Sequence, residues 1–173
     1  MAGENPDWQP VPISLRPIFR LSCPVETAHV VGDSGEGLRK IVPIPAGGVM
    51  TSDTIPAFDG ATGMPGGSDY FRTDRFGKTR LDARYFFQLK SGHNLFFQSS
   101  GIRFVPETYP DQSAKYALLA GQDIDPSKYY FRLKLMLECD DPDALVQDAV
   151  NKIVIASAVR HPDSVVYQAY VVE

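Results

Sequence analysis

The sequence predicts a mainly β fold, an antiparallel barrel or curled sheet with one or two short helices. Three observations lead there. Residues 129–138 alternate Phe131, Leu133, Leu135 and Leu137 against Tyr130, Arg132, Lys134 and Met136, the period of two of a half-buried strand. Residues 80–89 and 94–103 are two β-rich runs joined across Lys90-Ser91-Gly92-His93, which is hairpin chemistry. Helical spacing with capping residues occurs only over 113–120 and 142–150, so the remaining apolar runs belong to strands that must close or curl to bury one face.

In chain order, residues 1–17 form an extended arm, because Pro6, Pro10, Pro12 and Pro17 exclude helix. Trp8 is expected to pin that arm to the body. A single barrel domain then spans 18–173, a length that buries a sizeable core. Strands are expected from Ile18, over 25–31 and over 38–44, with Gly32-Asp33-Ser34-Gly35-Glu36-Gly37 as the turn between the last two. Residues 51–67 are rich in Gly and Pro without periodicity and are expected to be a long functional loop. Ser113 is the expected cap of the first helix and Gly121 follows its end. Asp141 is the expected cap of the second, with Pro142 at its first position. Strands over 152–159 and 164–172 flank His161-Pro162-Asp163.

Composition excludes several function classes. Seventeen Lys plus Arg against 21 Asp plus Glu give a net charge of −4 without a basic run, which disfavours nucleic acid and anionic membranes as partners. No secretion signal and no run of about 18 apolar residues is present, so the expected location is cytoplasmic. Cys23 and Cys139 are the only cysteines, too few and too far apart for a disulfide framework or a thiolate metal site. His29, His93 and His161 lack metal-ligand spacing. The glycine clusters fit neither a Walker loop nor a dinucleotide fingerprint. No metal and no cofactor is therefore expected. Gly32-Asp33-Ser34-Gly35 has the look of a serine-protease nucleophile loop but lacks the separately placed partners and the two-barrel body.

The chemistry concentrates in 64–102. Asp69 and Tyr70 follow Pro65-Gly66-Gly67, a turn that lets the backbone bend towards a cavity. Asp82, Arg84, Phe86 and Gln88 share one strand face, and Leu81, Ala83, Tyr85, Phe87 and Leu89 the other. If the first face is luminal, Asp82 and Arg84 form a desolvated pair able to polarise a carbonyl; if outward, they form an ordinary surface pair. Asp69 is the candidate proton carrier, with Arg84 and Tyr70 as candidate oxyanion donors. Arg39, Asp82, Phe86, Gln98, Arg132 and Asn151 are the candidate substrate-binding residues, and Arg39 and Arg132 are weaker candidates for the electrostatic role of Arg84.

Gly37-Leu38-Arg39, Ile44-Pro45-Ala46-Gly47-Gly48, Pro65-Gly66-Gly67-Ser68-Asp69-Tyr70, Leu81-Asp82-Ala83-Arg84-Tyr85, Tyr130-Phe131-Arg132 and Val166-Tyr167-Gln168-Ala169-Tyr170 together resemble the domain-of-unknown-function 3237 family from about Ile18 to the C-terminus. The resemblance implies a calycin-like antiparallel β-barrel with a central cavity, in a fungal-type or secondary-metabolism-like member. That family carries Gly-Gly-Ala-Asp-Trp where this chain has Gly67-Ser68-Asp69-Tyr70, and Trp-Leu-Asn where it has Ala149-Val150-Asn151. Replacement of the two indoles by Tyr70 and Ala149 implies a cavity that is enlarged or gains a phenol, and so a bulkier ligand. The expected function is a cofactor-independent acid/base enzyme acting on a polycyclic or polyketide-like molecule by cyclisation, isomerisation, dehydration or addition. The alternative is a lipocalin-like binding protein for an apolar or aromatic ligand. A homo-oligomer is compatible with either.

Overall fold

The computed structural model describes residues 9–173. Trp8 and the first part of the arm lie outside the described residues. The strands are β1 (Leu15–Pro24), β2 (His29–Asp33), β3 (Leu38–Ile44), β4 (Val49–Thr51), β5 (Thr62–Gly63), β6 (Gly67–Asp69), β7 (Arg72–Thr73), β8 (Thr79–Gln88), β9 (Asn94–Phe104), β10 (Tyr130–Cys139), β11 (Val154–Arg160) and β12 (Ser164–Val172). Helix α1 (Ala114–Leu119) precedes β10, and α2 (Ala144–Val150) precedes β11.

All pairings are antiparallel, and eight strands close a ring in the order β8-β5-β4-β1-β12-β11-β10-β9, sealed by β9 returning to β8. Along its other edge β8 pairs successively with β7, β6 and β5. That edge therefore splits: its lower part continues the ring, and its upper part carries β6, β7, β3 and β2. Closure removes the exposed edges of the ring strands.

Alternation decides what fills the ring. Leu81, Ala83, Tyr85 and Phe87 of β8, Leu95 and Phe97 of β9, and Phe131, Leu133, Leu135 and Leu137 of β10 are buried, as are Val165, Tyr167, Ala169 and Val171 of β12. Phe97 is fully buried and packs against Tyr85, Phe87 and Phe19 at ring-centroid distances of 4.8, 6.0 and 6.1 Å. The lower barrel is thus solid.

Several local expectations are corrected. β1 starts at Leu15, ahead of Ile18, because Ser14 and Glu173 exchange backbone hydrogen bonds and hold the arm against the chain end. Residues 51–67 form a long, largely irregular segment as expected, and it is packed against the body. Ile55, Phe58 and Ala61 are fully buried, Phe58 meets Phe19 edge-on at 5.8 Å, and the segment plugs the base of the barrel. Ser113 precedes α1 but makes no cap; Asp111 accepts from its N–H at 3.1 Å. The cap of α2 is Asp143, which accepts from Leu145 and Val146 N–H at 2.9 and 3.2 Å. Asp141 instead braces that turn, accepting from Asp143 N–H at 3.0 Å and Ser91 Oγ at 2.6 Å. Asp143→Ala is expected to cost about 1 kcal/mol in urea denaturation; a change near zero would show that the cap adds nothing.

Candidate functional site

The barrel is a cup. Its base is closed by the plug and by Val146 and Ala149 of α2, both fully buried. At the other end residues 105–129, including α1, lean over the mouth, where Leu118, Leu119, Ala120 and Gly121 roof a cavity of about 230 Å³. Val42, Ile44 and Val165 give it apolar walls, and Lys40, Asp69, Tyr85, Arg103 and Arg160 bring polar groups to it.

Position in the strands explains that gathering. Arg103 follows Leu95, Phe97 and Ser99 in the inward phase of β9, and Arg160 follows Val154, Ala156 and Ala158 in that of β11. Lys40 precedes Val42 and Ile44 in the same way on β3. Each inward row ends in a charge at the rim. Asp69 comes in from β6, whose approach requires glycine: a Cβ on Gly67 would lie 2.5 Å from the Arg84 carbonyl oxygen.

Asp69 Oδ1 accepts from Asp82 N–H at 3.2 Å. Burial pushes the Asp69 carboxyl up to about 6, against the lowering effect of that N–H, Arg103 and Arg160. The residue keeps some access to solvent through the mouth. Arg103 is only 9% exposed, and its Nε is buried without a partner. Its guanidinium stands 5.7 Å from the Phe131 ring centre. Burial first, then the charge of Arg160, depresses its proton affinity, while Asp69 supports it. Arg160 donates to the carbonyls of Ser164 and Pro162 at 2.9 and 3.1 Å, and its own N–H donates to the Tyr129 hydroxyl at 3.1 Å.

Below this layer the Tyr85 and Tyr167 hydroxyls are 2.8 Å apart, with Ser99 Oγ 3.4 Å from Tyr167. Burial raises both phenols above the usual tyrosine value, so both are neutral at physiological pH. The mouth therefore offers one carboxyl poised near neutrality, two guanidinium groups and neutral hydroxyls around an apolar-walled space, the complement of groups that proton transfer and oxyanion stabilisation require.

Of the residues singled out from sequence, Asp69 alone faces this mouth. Asp82 and Arg84 take the outward alternative: they form an ion pair with side chains 44% and 37% exposed. Gln98 Nε2 donates to Asp82 Oδ1 at 3.1 Å, Arg84 stands 5.9 Å from the Tyr70 ring centre, and Arg39 donates to the Tyr70 carbonyl. Arg39, Tyr70, Asp82, Arg84 and Gln98 are thus brought together, but on the outer wall. Phe86 shares that face. Arg132 is also outside, 5.2 Å from the Tyr130 ring centre. Asn151 ends α2 at the base and donates to Gln147 carbonyl at 2.7 Å. Neither Tyr70 nor Ala149 lines the mouth, so their small size relative to tryptophan leaves that cavity unchanged.

The remaining sequence signals resolve into structure. Asp33 Oδ1 accepts from Gly35 and Gly37 N–H at 2.8 and 3.1 Å, an ordinary turn. Cys23 and Cys139 are unpaired, and burial raises the Cys23 thiol to about 12. Among the described residues no group of His, Cys, Asp and Glu side chains has metal-ligating geometry, and no helix is long and apolar enough to cross a membrane.

Fold and mouth define a calycin-like antiparallel barrel, open at one end. The chain belongs to the DUF3237 family, described as a protein of unknown function, which matches residues 13–172. A UPF0311 protein of Clostridium acetobutylicum is 30% identical over 154 residues, covering 88% of this chain and 90% of that one. The crystal structure of the conserved protein RPA1785 from Rhodopseudomonas palustris superposes with a TM-score of 0.80 at 25% identity, covering 95% of this chain and all of the other. An enzyme from Penicillium herquei shares the fold at a TM-score of 0.61 and 13% identity, over 94% and 98% of the two chains. The first two relatives are bacterial, and they do not single out the fungal-type grouping that the resemblance implied.

Proposed function

We propose that this protein is an acid/base enzyme that needs no cofactor and acts on a small molecule held in the barrel mouth. The observation that carries this reading is Asp69: a carboxyl poised at about 6 in an apolar-walled cavity beside the buried Arg103. A carrier for an apolar ligand needs no such group, and holding it there costs stability. The Penicillium herquei enzyme shares the fold alone with this chain, so support comes from the mouth itself.

In this reading Asp69 removes a proton from carbon next to a carbonyl, and Arg103 receives the charge that develops on oxygen. Return of the proton to another carbon completes an isomerisation. Its delivery to a leaving hydroxyl completes a dehydration, and the reverse steps give addition or ring closure. A cavity of about 230 Å³ is below the roughly 300–1,000 Å³ of drug-sized sites. One ring of a polycyclic or polyketide-like substrate fits inside, and the rest stays at the rim. The secondary-metabolism setting belongs to the same proposal.

The test is deuterium uptake from heavy water at carbon adjacent to the carbonyl of single-ring ketones, followed by proton NMR. Wild type is expected to exchange them, Asp69→Asn to do so about a hundredfold or more slowly, and Arg84→Gln, on the outer wall, at the wild-type rate. Equal exchange by wild type and a folded Asp69→Asn variant would remove Asp69 from the chemistry.

A further inference from the structure

The mouth holds a charge that its own residues leave unanswered. Arg103 is nine-tenths buried, yet among the described residues its guanidinium makes no hydrogen bond and no ion pair, and its Nε is enclosed without an acceptor. A buried cation is ordinarily paired, because removing it from water without a partner is costly. Arg72 provides the contrast: its Nε is also enclosed, but a terminal nitrogen of the same group pairs with Glu36. Asp69 acts on Arg103 through space without forming an ion pair, since its one hydrogen bond comes from Asp82 N–H.

The charges of the mouth can be counted. Arg103 and Arg160 are positive, Asp69 is negative, and Asp163 answers Arg160 from the β11–β12 turn, so the charges balance while Arg103 still has no hydrogen-bonding acceptor. At the rim Lys40 and Glu26 have opposite signs and cancel. Asp163 lies on the β11–β12 turn and Asp123 pairs with His161 at 2.9 Å, both outside the cavity. Arg160 is held by two backbone carbonyls, and the charge of Asp163 supports its own. The remaining lining groups include neutral Tyr85 and apolar Val42, Ile44, Leu118 and Val165.

We infer that the mouth binds a small monoanion, a carboxylate or an enolate-type oxygen, with its charged oxygen against Arg103 and its apolar body between Val42, Ile44, Leu118 and Val165. A negative oxygen supplies the acceptor that Arg103 lacks, the planar guanidinium fork matches a carboxylate or a phenolate oxygen, and the walls accept a single ring. The inference rests on the proposed acid/base reading for the chemistry that follows binding, and names the charge of the substrate for it. It also separates the two kinds of group: Arg103 anchors the anion, and Asp69 meets the carbon that exchanges its proton.

The probe is benzoate, with benzamide as its neutral counterpart of the same shape, titrated into the full-length protein by calorimetry at pH 7. Benzoate is expected to bind at least about tenfold more tightly than benzamide. Arg103→Gln should remove that preference and Arg103→Lys restore part of it. Asp69→Asn should bind benzoate as well as wild type or better, because a like charge has gone. Equal affinity for the two probes, no benzoate binding, or an unchanged preference in folded Arg103→Gln would overturn the inference. Should Arg103→Gln fail to fold, the benzoate-to-benzamide ratio in wild type decides alone. Benzoate binding without any Asp69-dependent deuterium uptake would sink the catalytic reading and keep the anion site; uptake without anion preference would do the reverse.

Discussion

Asp69→Asn is expected to be more stable than wild type at pH 7, by up to about 3 kcal/mol, although the substitution touches a hydrogen-bonded residue. The folded-state pKa of Asp69, about 6, lies above the ordinary value of 3.8. Between those values the native protein binds more protons than the unfolded chain, so stability from this group is full below about pH 4 and is lost as pH rises through about 6. At pH 7 wild type carries the whole penalty of a buried carboxylate, and asparagine mimics the protonated form while still accepting from Asp82 N–H. The groups facing Asp69 enter the same balance: Lys40 from β3, Glu26 after β1, Asp82 and Tyr85 from β8, Arg103 from β9, Arg160 from β11 and Tyr167 from β12. The check is urea denaturation of both proteins at pH 4.5 and pH 7.5, with the difference expected to shrink at the lower pH. If Asp69 were a structural acceptor only, its replacement would lower stability at both. A gain in stability with a loss of turnover is what a functional group held at a cost produces.

Phe97→Ala is expected to lose about 3–5 kcal/mol. Phe97 is fully buried where Tyr85, Phe87 and Phe19 meet, so truncation leaves a void that the closed ring cannot collapse around. Phe96 is the neighbouring residue but points outward and is 38% exposed; its truncation is expected to cost less than about 1 kcal/mol. Denaturant midpoints measure both. Equal losses would mean that the alternation along β9 does not set the core.

Much of the fold was legible because alternation is a local signal. The inward row Phe131, Leu133, Leu135 and Leu137 and the hairpin of β8 and β9 follow from spacing alone. Asp69 was legible because glycines announce an unusual backbone approach, and the cradle at Gly67 bears that out. The other members of the mouth were missed because Asp82 and Arg84 are adjacent in phase and look like a site, whereas the side of the strand they occupy depends on which face the ring buries. A usable signal did exist. Arg103 and Arg160 each continue a row of buried apolar or small residues, and a charge in the buried phase at a strand end marks a rim better than a charge among other charges. Residues 51–67 read as a loop, and their packing was hidden because Ile55, Phe58 and Ala61 have no period that tells a plug from a free loop.

The solid base of the barrel has a consequence for traffic. With the plug and α2 filling one end, whatever occupies the mouth arrives and departs by one door, under Leu118 and Leu119 of α1. In the proposed reading a cup with one door empties before it refills, so product leaves before the next substrate enters and nothing is handed through the barrel to a second protein behind it.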